Sequence, residues 1–173
     1  GGTGSYFCEG NGWQYTFFVP QDVYGLIELF GGDKPFLERL NQFFVNNDSM
    51  GDEASADITG LIGQYAHGNE PSHHITYMYA YAGQQWKTAE KVRYIMDEFY
   101  KDTPDGIIGN EDCGQMSAWY ILSSMGFYQM NPADGVFVFG SPRFDKMSVK
   151  VRGGKTFTVE AENNSKENIY IQK

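Results

Sequence analysis

Residues 86–100, WKTAEKVRYIMDEFY, are the stretch of sequence that decides the fold class. Apolar side chains recur there every three or four residues, which places them on one face of an α-helix. That face contains Trp86, Ala89, Val92, Arg93, Ile95, Met96 and Phe99. The opposite face is charged, so the pattern predicts an amphipathic helix that buries one side.

Further helices are predicted on both sides of this segment. One begins at Asp33, because aspartate can accept hydrogen bonds from the free N–H groups of a first turn, where Pro35 is also tolerated. Its apolar residues are again three or four apart, up to Phe44. Helices are also predicted over residues 71–82 and 115–125, whereas the apolar segment 13–18 fits either a strand or a helix.

The pattern changes near residue 130, after which short β-branched and aromatic runs alternate with turns. Four strands are predicted, with Gly153 and Gly154 as a hairpin turn, and they cover residues 136–139, 147–151, 157–161 and 168–171. The predicted fold class is therefore mainly α with a small β appendage. Helix pairs joined by long loops are typical of an α-helical toroid, but five helices are too few to close one. We divide the chain into a helical part, 1–130, and a β-strand segment, 131–173.

Composition excludes several classes of function. The chain has 173 residues, a formal net charge of −9 and 41% hydrophobic residues. An acidic surface repels phosphate groups, and no apolar run approaches the ~20 residues of a membrane span, so we expect neither nucleic-acid nor membrane binding. Cys8 and Cys113 are interpreted as small buried residues, with a disulfide open if their Cα atoms lie about 4.4–6.8 Å apart. Because the chain begins with glycine and not methionine, we expect a processed, cut or engineered chain, which leaves open that it is part of a longer polypeptide.

Three Gly- and Asn-rich segments each contain an acidic residue before a helix or an aromatic run. They are EGNGW at 9–13, GNEPSHH at 68–74 and GNEDCGQ at 109–115. Glycine allows the backbone to approach a ligand, and a carboxylate supplies an acid, a base or a metal ligand. For Glu70 and Asp112 the alternative is a favourable interaction with the dipole of a helix N-terminus.

The histidines of the chain do not form a zinc motif. His73 and His74 are adjacent and point to different sides of a helix, and the spacing from His67 matches no catalytic zinc set. A structural or substrate-binding role is therefore expected. Loops rich in Asn, Glu and carbonyl oxygen suit a hard cation better, which makes calcium the natural candidate.

Aromatic residues are frequent near these loops. Because sugars present apolar C–H faces, carboxylates beside Trp and Tyr, as at Trp13, favour a carbohydrate site. For Trp119 and Tyr77, which lie on apolar helices, the core is the expected position.

The three segments together, in this order, resemble glycoside hydrolase family 92, the bacterial calcium-dependent exo-α-mannosidases. The similarity runs from about residue 6 to the C-terminus. Members of that family are several hundred residues longer, with a β-sandwich ahead of an (α/α)6 barrel. The resemblance implies that this chain is the last part of the barrel, with its active-site loops, followed by the terminal strands.

The resemblance also implies roles for individual residues. Glu9 matches the general acid and Asp112 the general base of an inverting mechanism, whereas Asn110 occupies the place of a second acid and would orient water. Glu70 matches a calcium ligand, with the Asn69 carbonyl beside it, and the ion would bind the 2- and 3-hydroxyls of mannose. His73 and His74 are expected to line the sugar site, as is Trp13.

The predicted function is calcium-assisted hydrolysis of terminal α-linked mannose, such as α-1,2-mannosides, with this chain as an incomplete catalytic fragment. The alternative is a carbohydrate-binding or assembly fragment without catalysis. Expected partners are mannose-containing glycans and either the rest of the parent chain or a second copy bound through the open helical face. The resemblance further implies export to the periplasm or cell surface, and it places the protein in N-glycan degradation.

Overall fold

The computed structural model describes residues 7–49, 56 and 58–173, which form six α-helices and three two-stranded antiparallel sheets. The helices are α1 (Gly12–Thr16), α2 (Val23–Phe30), α3 (Asp33–Val45), α4 (Met78–Tyr81), α5 (Gln85–Phe99) and α6 (Gln115–Ser124). The strands pair in the order of the chain and are β1 (Leu61–Ile62), β2 (Tyr65–Ala66), β3 (Phe127–Tyr128), β4 (Val138–Phe139), β5 (Lys146–Lys150) and β6 (Thr156–Glu160). The prediction of a mainly α fold with a small β appendage is confirmed, and the described part of the chain closes no barrel.

Helices α3, α5 and α6 form where the apolar spacing predicts them. The face of α5 from Ala89 to Met96 is buried, while Trp86 at its start is 47% exposed. Trp119 and Tyr77 are completely buried, which confirms their expected place in the core. No described helix is long and apolar enough to cross a membrane.

The segment 13–18, which fitted either a strand or a helix, begins as helix α1, and a capping box stabilises its first turn. The Asn11 side chain accepts hydrogen bonds from the N–H groups of Trp13 and Gln14, and the Gln14 side chain accepts one from the Asn11 N–H. Helix α2, which the sequence analysis does not predict, is capped by Asp22 and ends at Gly31 in a left-handed conformation.

The prediction of one continuous helix over residues 71–82 is wrong. This stretch consists of two short 3-10 turns, Glu70–Ser72 and Ile75–Tyr77, followed by the single turn of α4. In a regular α-helix the His73 carbonyl would accept a hydrogen bond from the Tyr77 N–H. Here it accepts from the Trp119 indole N–H at 3.0 Å, and the Tyr77 N–H bonds to the His74 carbonyl instead.

The predicted strands are confirmed in part. Strands β5 and β6 form a hairpin that turns at Gly153 and Gly154, both with positive φ. The strand predicted at 136–139 is reduced to β4, and β3, its partner, was not predicted. The strand predicted at 168–171 is wrong, because this segment binds through single contacts: the Ile169 carbonyl accepts from the Ser141 hydroxyl at 2.6 Å and has no ladder partner.

Arg93 connects α5 to the C-terminal segment. Its guanidinium is buried and donates to the Ser141 hydroxyl, the Pro142 and Ser165 carbonyls and the Asn164 side chain. All four acceptors are neutral, so Arg93 holds this segment by hydrogen bonds and not by an ion pair.

Candidate active site

The first acidic segment contains Glu9, which is exposed in the loop before α1. Its backbone has a φ of +51°, a left-handed conformation that residues other than glycine seldom adopt. The Glu9 carbonyl oxygen accepts a hydrogen bond from the Asn69 side-chain amide. The first segment is therefore joined directly to the second.

A buried glutamine, Gln64, holds this region in place from the turn between β1 and β2. The Asn11 amide donates to Gln64 Oε1 and the Gln14 amide donates to the Gln64 carbonyl, both at 2.9 Å. Gln64 Nε2 in turn donates to the carbonyls of Asn46 and Asp48. Nothing in the sequence singles out Gln64, because one glutamine in a loop has neither a periodicity nor a motif.

The second segment is an extension of the β1–β2 hairpin. The Gly68 N–H donates to the Thr59 carbonyl at 3.1 Å, beyond the last strand residues. The Asn69 side chain then accepts from the Glu70 N–H, also at 3.1 Å. Glu70 is exposed, and its carboxylate forms no hydrogen bond or ion pair with another described residue.

The second and third segments meet at two glycines. A Cβ atom on Gly109 would lie 2.8 Å from both the Cα and the carbonyl oxygen of Gly68. A Cβ atom on Gly68 would lie 3.2 Å from the Gly109 Cα. Both distances are too short for a side chain, so the two backbones are in direct contact. The three acidic segments singled out in the sequence therefore come together.

Asp112 is exposed at the start of a 3-10 turn, Asp112–Gly114. The next residue, Cys113, has a φ of +55°, so a second strained non-glycine residue lies at this site. Such strain occurs often at functional sites. The interpretation of Cys8 and Cys113 as buried residues is wrong: both are exposed free thiols, Cys8 in the loop before α1 and Cys113 in the 3-10 turn, outside the packed helix faces.

Two side chains brace the Asp112 turn. Glu111 accepts hydrogen bonds from the N–H and the hydroxyl of Ser117 at 3.1 and 2.7 Å, and these bonds lower the pKa of the Glu111 carboxyl. Gln115 Nε2 donates to the Asn110 carbonyl at 3.0 Å. The one signal in the sequence for this role of Glu111 is its position just before α6.

His67 is a structural residue. Its Nδ1 lies 2.7 Å from the Tyr65 hydroxyl and its Nε2 lies 2.8 Å from the Tyr100 hydroxyl. Because the Tyr100 hydroxyl donates to the Met116 carbonyl, it accepts from His67, which places the proton on Nε2. Burial holds the pKa of His67 well below its usual value, and every polar atom of the ring is paired.

His73 and His74 are buried and neutral at pH 7. His73 Nε2 donates to the His67 carbonyl at 3.0 Å, and His74 Nε2 donates to the Phe17 carbonyl at 2.6 Å. Burial lowers the pKa of both, that of His74 to about 4, while nearby Glu70 partly opposes the shift at His73. Of the two, His73 is therefore the one whose pKa responds to the Glu70 carboxylate.

Trp13 is half buried and packs against the hydrophobic core. The guanidinium carbon of Arg39 lies 3.4 Å from the centre of its ring, a cation–π contact that covers one ring face.

The described residues contain no group of three or more His, Cys, Asp or Glu side chains that would hold a metal ion alone. The Glu70 carboxylate and the Asn69 carbonyl are oxygen donors, the type that Ca²⁺ prefers. The Asn69 carbonyl accepts one hydrogen bond, from the Ser72 N–H at 3.1 Å, which leaves it a second lone pair. These donors fit calcium in type, and they are too few for the about 6–8 ligands it takes.

Comparison with known proteins gives concordant results. The family model for the glycosyl hydrolase family 92 catalytic domain matches residues 2–173. The structure of a family 92 α-mannosidase of Bacteroides thetaiotaomicron in complex with mannoimidazole is 42% identical, with a TM-score of 0.86, over 94% of this chain and 21% of that chain. An inverting family 92 mannosidase of the same organism is 39% identical, with a TM-score of 0.75, over 92% of this chain and 23% of that chain.

A secreted glycosidase of Arthroderma benhamiae is 35% identical over 164 residues, which are 93% of this chain and 19% of that protein. The chain therefore spans about a fifth of the length of these relatives.

Proposed function

Because this chain belongs to glycosyl hydrolase family 92, we propose that it is part of a longer enzyme that hydrolyses terminal α-linked mannose from glycans with inversion. The observation that carries this proposal is the convergence of the loops of Glu9, Glu70 and Asp112. The hydrogen bond from Asn69 to the Glu9 carbonyl joins the first two loops, and the backbone contact between Gly68 and Gly109 joins the second and third.

In the proposed reaction Glu9 is the general acid and Asp112 the general base. Asp112 takes a proton from water, whose oxygen bonds to the anomeric carbon from the face opposite the leaving group. The glycosidic bond breaks, and Glu9 gives its proton to the departing oxygen. Inversion requires the two carboxyl groups to lie about 6.5–9.5 Å apart, which remains a prediction for this pair.

The local structure supports these roles. The Glu9 main chain is fixed by Asn69, while Glu9 itself is exposed and open to substrate. Asp112 is likewise exposed, on a turn braced at both ends. Asn110, an amide in place of a second acid, would orient the attacking water without taking its proton.

Glu70 and the Asn69 carbonyl are the proposed calcium ligands on this chain. When bound, the ion supplies positive charge that holds sugar hydroxyls and favours a flattened ring. The remaining ligands would be water, sugar oxygens and residues of the parent protein outside this chain.

The sugar site is proposed to include Trp13, His73 and His74. Arg39 covers one face of the Trp13 ring, so that face is closed to a sugar. His73 and His74 act as neutral groups, because burial lowers the pKa of each below its usual value.

Mannose-containing glycans are the proposed substrates, α-1,2-mannosides among them, and the protein is proposed to be exported, as one relative is described as secreted. Within the chain, residues 1–130 would supply part of the barrel and its active-site loops, and residues 131–173 the terminal strands.

The small share of its relatives that the chain spans favours one alternative, a carbohydrate-binding or assembly fragment without catalysis. Calorimetric titration of the chain with mannose and calcium measures binding, and a mannose-release assay on the full-length protein that contains the chain separates the two functions. Binding by the chain without release by the full-length protein supports the alternative.

The proposal is tested by Glu9→Gln in the full-length protein that contains this chain. Loss of a general acid is expected to lower the rate on mannosides with poor leaving groups by about 100- to 10,000-fold. Aryl mannosides with good leaving groups need little protonation and should keep most of their rate. Glu28→Gln, at an exposed glutamate on α2, is the matched control and should leave both rates unchanged. Equal activity of Glu9→Gln and wild type on both substrates would remove Glu9 from this role.

A further inference from the structure

Gly68 and Gly109 form the contact between the second and third acidic segments. Each position excludes a side chain, but for a different reason. Gly109 has a φ of +68°, which by itself favours glycine. Gly68 is not among the glycines with positive φ, so its backbone conformation would accept any residue. What excludes a side chain at Gly68 is the space around it.

That space is occupied by Thr59 and Gly109. A Cβ atom on Gly68 would lie 1.9 Å from Thr59 Oγ1, which is much closer than any real contact. The Thr59 carbonyl accepts the hydrogen bond from the Gly68 N–H. Thr59 therefore holds Gly68 by its main chain and fills the space beside it with its side chain, pressing Gly68 against Gly109.

The Thr59 hydroxyl is buried and has no hydrogen-bond partner among the described residues. What the described residues show of this side chain is the space that it fills beside Gly68 and Gly109.

We propose that Thr59, Gly68 and Gly109 are positioning residues that set the separation between the Glu70 loop and the Asp112 loop. Glu70 lies two residues after Gly68 and Asp112 three residues after Gly109, so a shift at the crossing is passed on to both carboxylates. This inference rests on the proposed function, in which Glu70 holds the ion and sugar while Asp112 activates water. A displacement of about 1 Å in such a site can cost about 100-fold in rate.

The test uses the full-length protein that contains this chain. Gly68→Ala and Gly109→Ala are each expected to lower kcat on α-mannosides by about 100-fold, with KM changed much less. Gly135→Ala is the matched control for Gly109, because Gly135 has a φ of +72° and no atom within 4 Å of an added Cβ. Its kcat should remain within about twofold of wild type; a loss equal to that of Gly109→Ala would overturn the proposal.

Adding Thr59→Ala distinguishes positioning from general damage. It removes the atom nearest to an added Gly68 Cβ, so Thr59→Ala should restore at least about tenfold in kcat to Gly68→Ala. It should restore much less to Gly109→Ala, because the atoms nearest to that Cβ are the Gly68 Cα and carbonyl oxygen at 2.8 Å, with Thr59 Oγ1 farther away at 3.1 Å. The opposite pattern of rescue would contradict the proposed arrangement.

Hydrogen exchange followed by mass spectrometry provides a readout independent of activity. Gly68→Ala, and Thr59→Ala if the former does not fold, should speed exchange several-fold in the peptide covering residues 109–114. Unchanged exchange there would overturn the positioning role. If Gly68→Ala speeds exchange in residues 109–114 but the wild-type protein hydrolyses no mannoside, the proposed function is refuted and the positioning role is not.

Discussion

Glu111 lies beside the proposed base, Asp112, and has a separate task. Its carboxylate accepts two hydrogen bonds from Ser117 in the first turn of α6. The residue before that helix, Gly114, provides no side-chain cap, so Glu111 takes this place. The bonds from Ser117 favour the ionised form and lower the pKa of the Glu111 carboxyl.

A pH-dependent loss of stability is expected for Glu111→Gln. A carboxyl whose pKa is lower in the folded state stabilises the fold above its unfolded pKa, and this contribution disappears as the pH falls through the folded pKa. The variant should lose about 0.5 kcal/mol at pH 7, the low end for a helix cap, because the pair is open to solvent. The difference should shrink at pH values below 4.5, the ordinary value for glutamate.

Urea unfolding of the 173-residue chain at several pH values measures this difference. Glu98→Gln, at an exposed glutamate on α5, serves as the control and should show no pH-dependent difference. A constant difference between Glu111→Gln and wild type from pH 7 to about 3 would show that the charge of Glu111 is not involved.

Single residues were predictable from the sequence where a motif surrounds them. Glu9, Glu70 and Asp112 were selected by their Gly- and Asn-rich neighbours, and their loops do converge. Thr59 and Gln64 were not predicted, because their importance comes from contacts with residues distant in the chain. The exposure of Cys113 was missed for a related reason, since nothing in a sequence indicates that a cysteine has a positive φ.

Elements of secondary structure were predictable where one face is apolar and the other polar. Helices α3 and α5 satisfy this condition and were predicted within a few residues. Residues 71–82 do not satisfy it, because nearly all of them are buried. In addition, the His73 carbonyl accepts a hydrogen bond from the Trp119 indole and not from the N–H four residues later. Local periodicity contains no information about such a tertiary hydrogen bond.

The attachment of the β segment to the helices is expected to depend on Arg93. Arg93→Met keeps the apolar packing of α5 but leaves four acceptors without their donor, among them the Ser165 carbonyl. Ser141 is buried and the other three acceptors are partly exposed. An unpaired buried group costs about 1–3 kcal/mol, and partly exposed groups cost less because water rehydrates them, so a total loss of about 2–4 kcal/mol is expected. Urea unfolding measures the loss, and limited proteolysis should show earlier cleavage within residues 141–173.

The control for this experiment is Arg152→Met, since Arg152 is exposed in the turn between β5 and β6. It removes the same charge and should change stability by less than about 0.5 kcal/mol. An equal loss in the two variants would mean that net charge, and not the bonds of Arg93, holds the C-terminal segment.

At the scale of the whole molecule, several large apolar side chains among the described residues are exposed to solvent. Leu29 on α2 is 87% exposed, Ile121 on α6 is 51% exposed and Phe139 in β4 is 62% exposed. The apolar face of the β5–β6 hairpin is also open, with Phe157 and Val149 half exposed. The Phe157 ring contacts Phe127, and a two-stranded hairpin whose apolar face is partly exposed is only marginally stable in water. These surfaces fit a chain that spans about a fifth of its relatives.

The isolated 173 residues are therefore expected to fold, to self-associate through apolar side chains exposed on the helices, and to hydrolyse no mannoside at a measurable rate. Glu9, Glu70 and Asp112 lie on three separate loops, and catalysis needs them within about 0.5 Å of productive geometry. In a closed ring of helices the neighbouring helices supply that restraint, and the described part of this chain closes no such ring. Size-exclusion chromatography with light scattering and a mannose-release assay measure the two outcomes. A monomer that releases mannose at an ordinary enzymatic rate would show that these residues form a complete site by themselves.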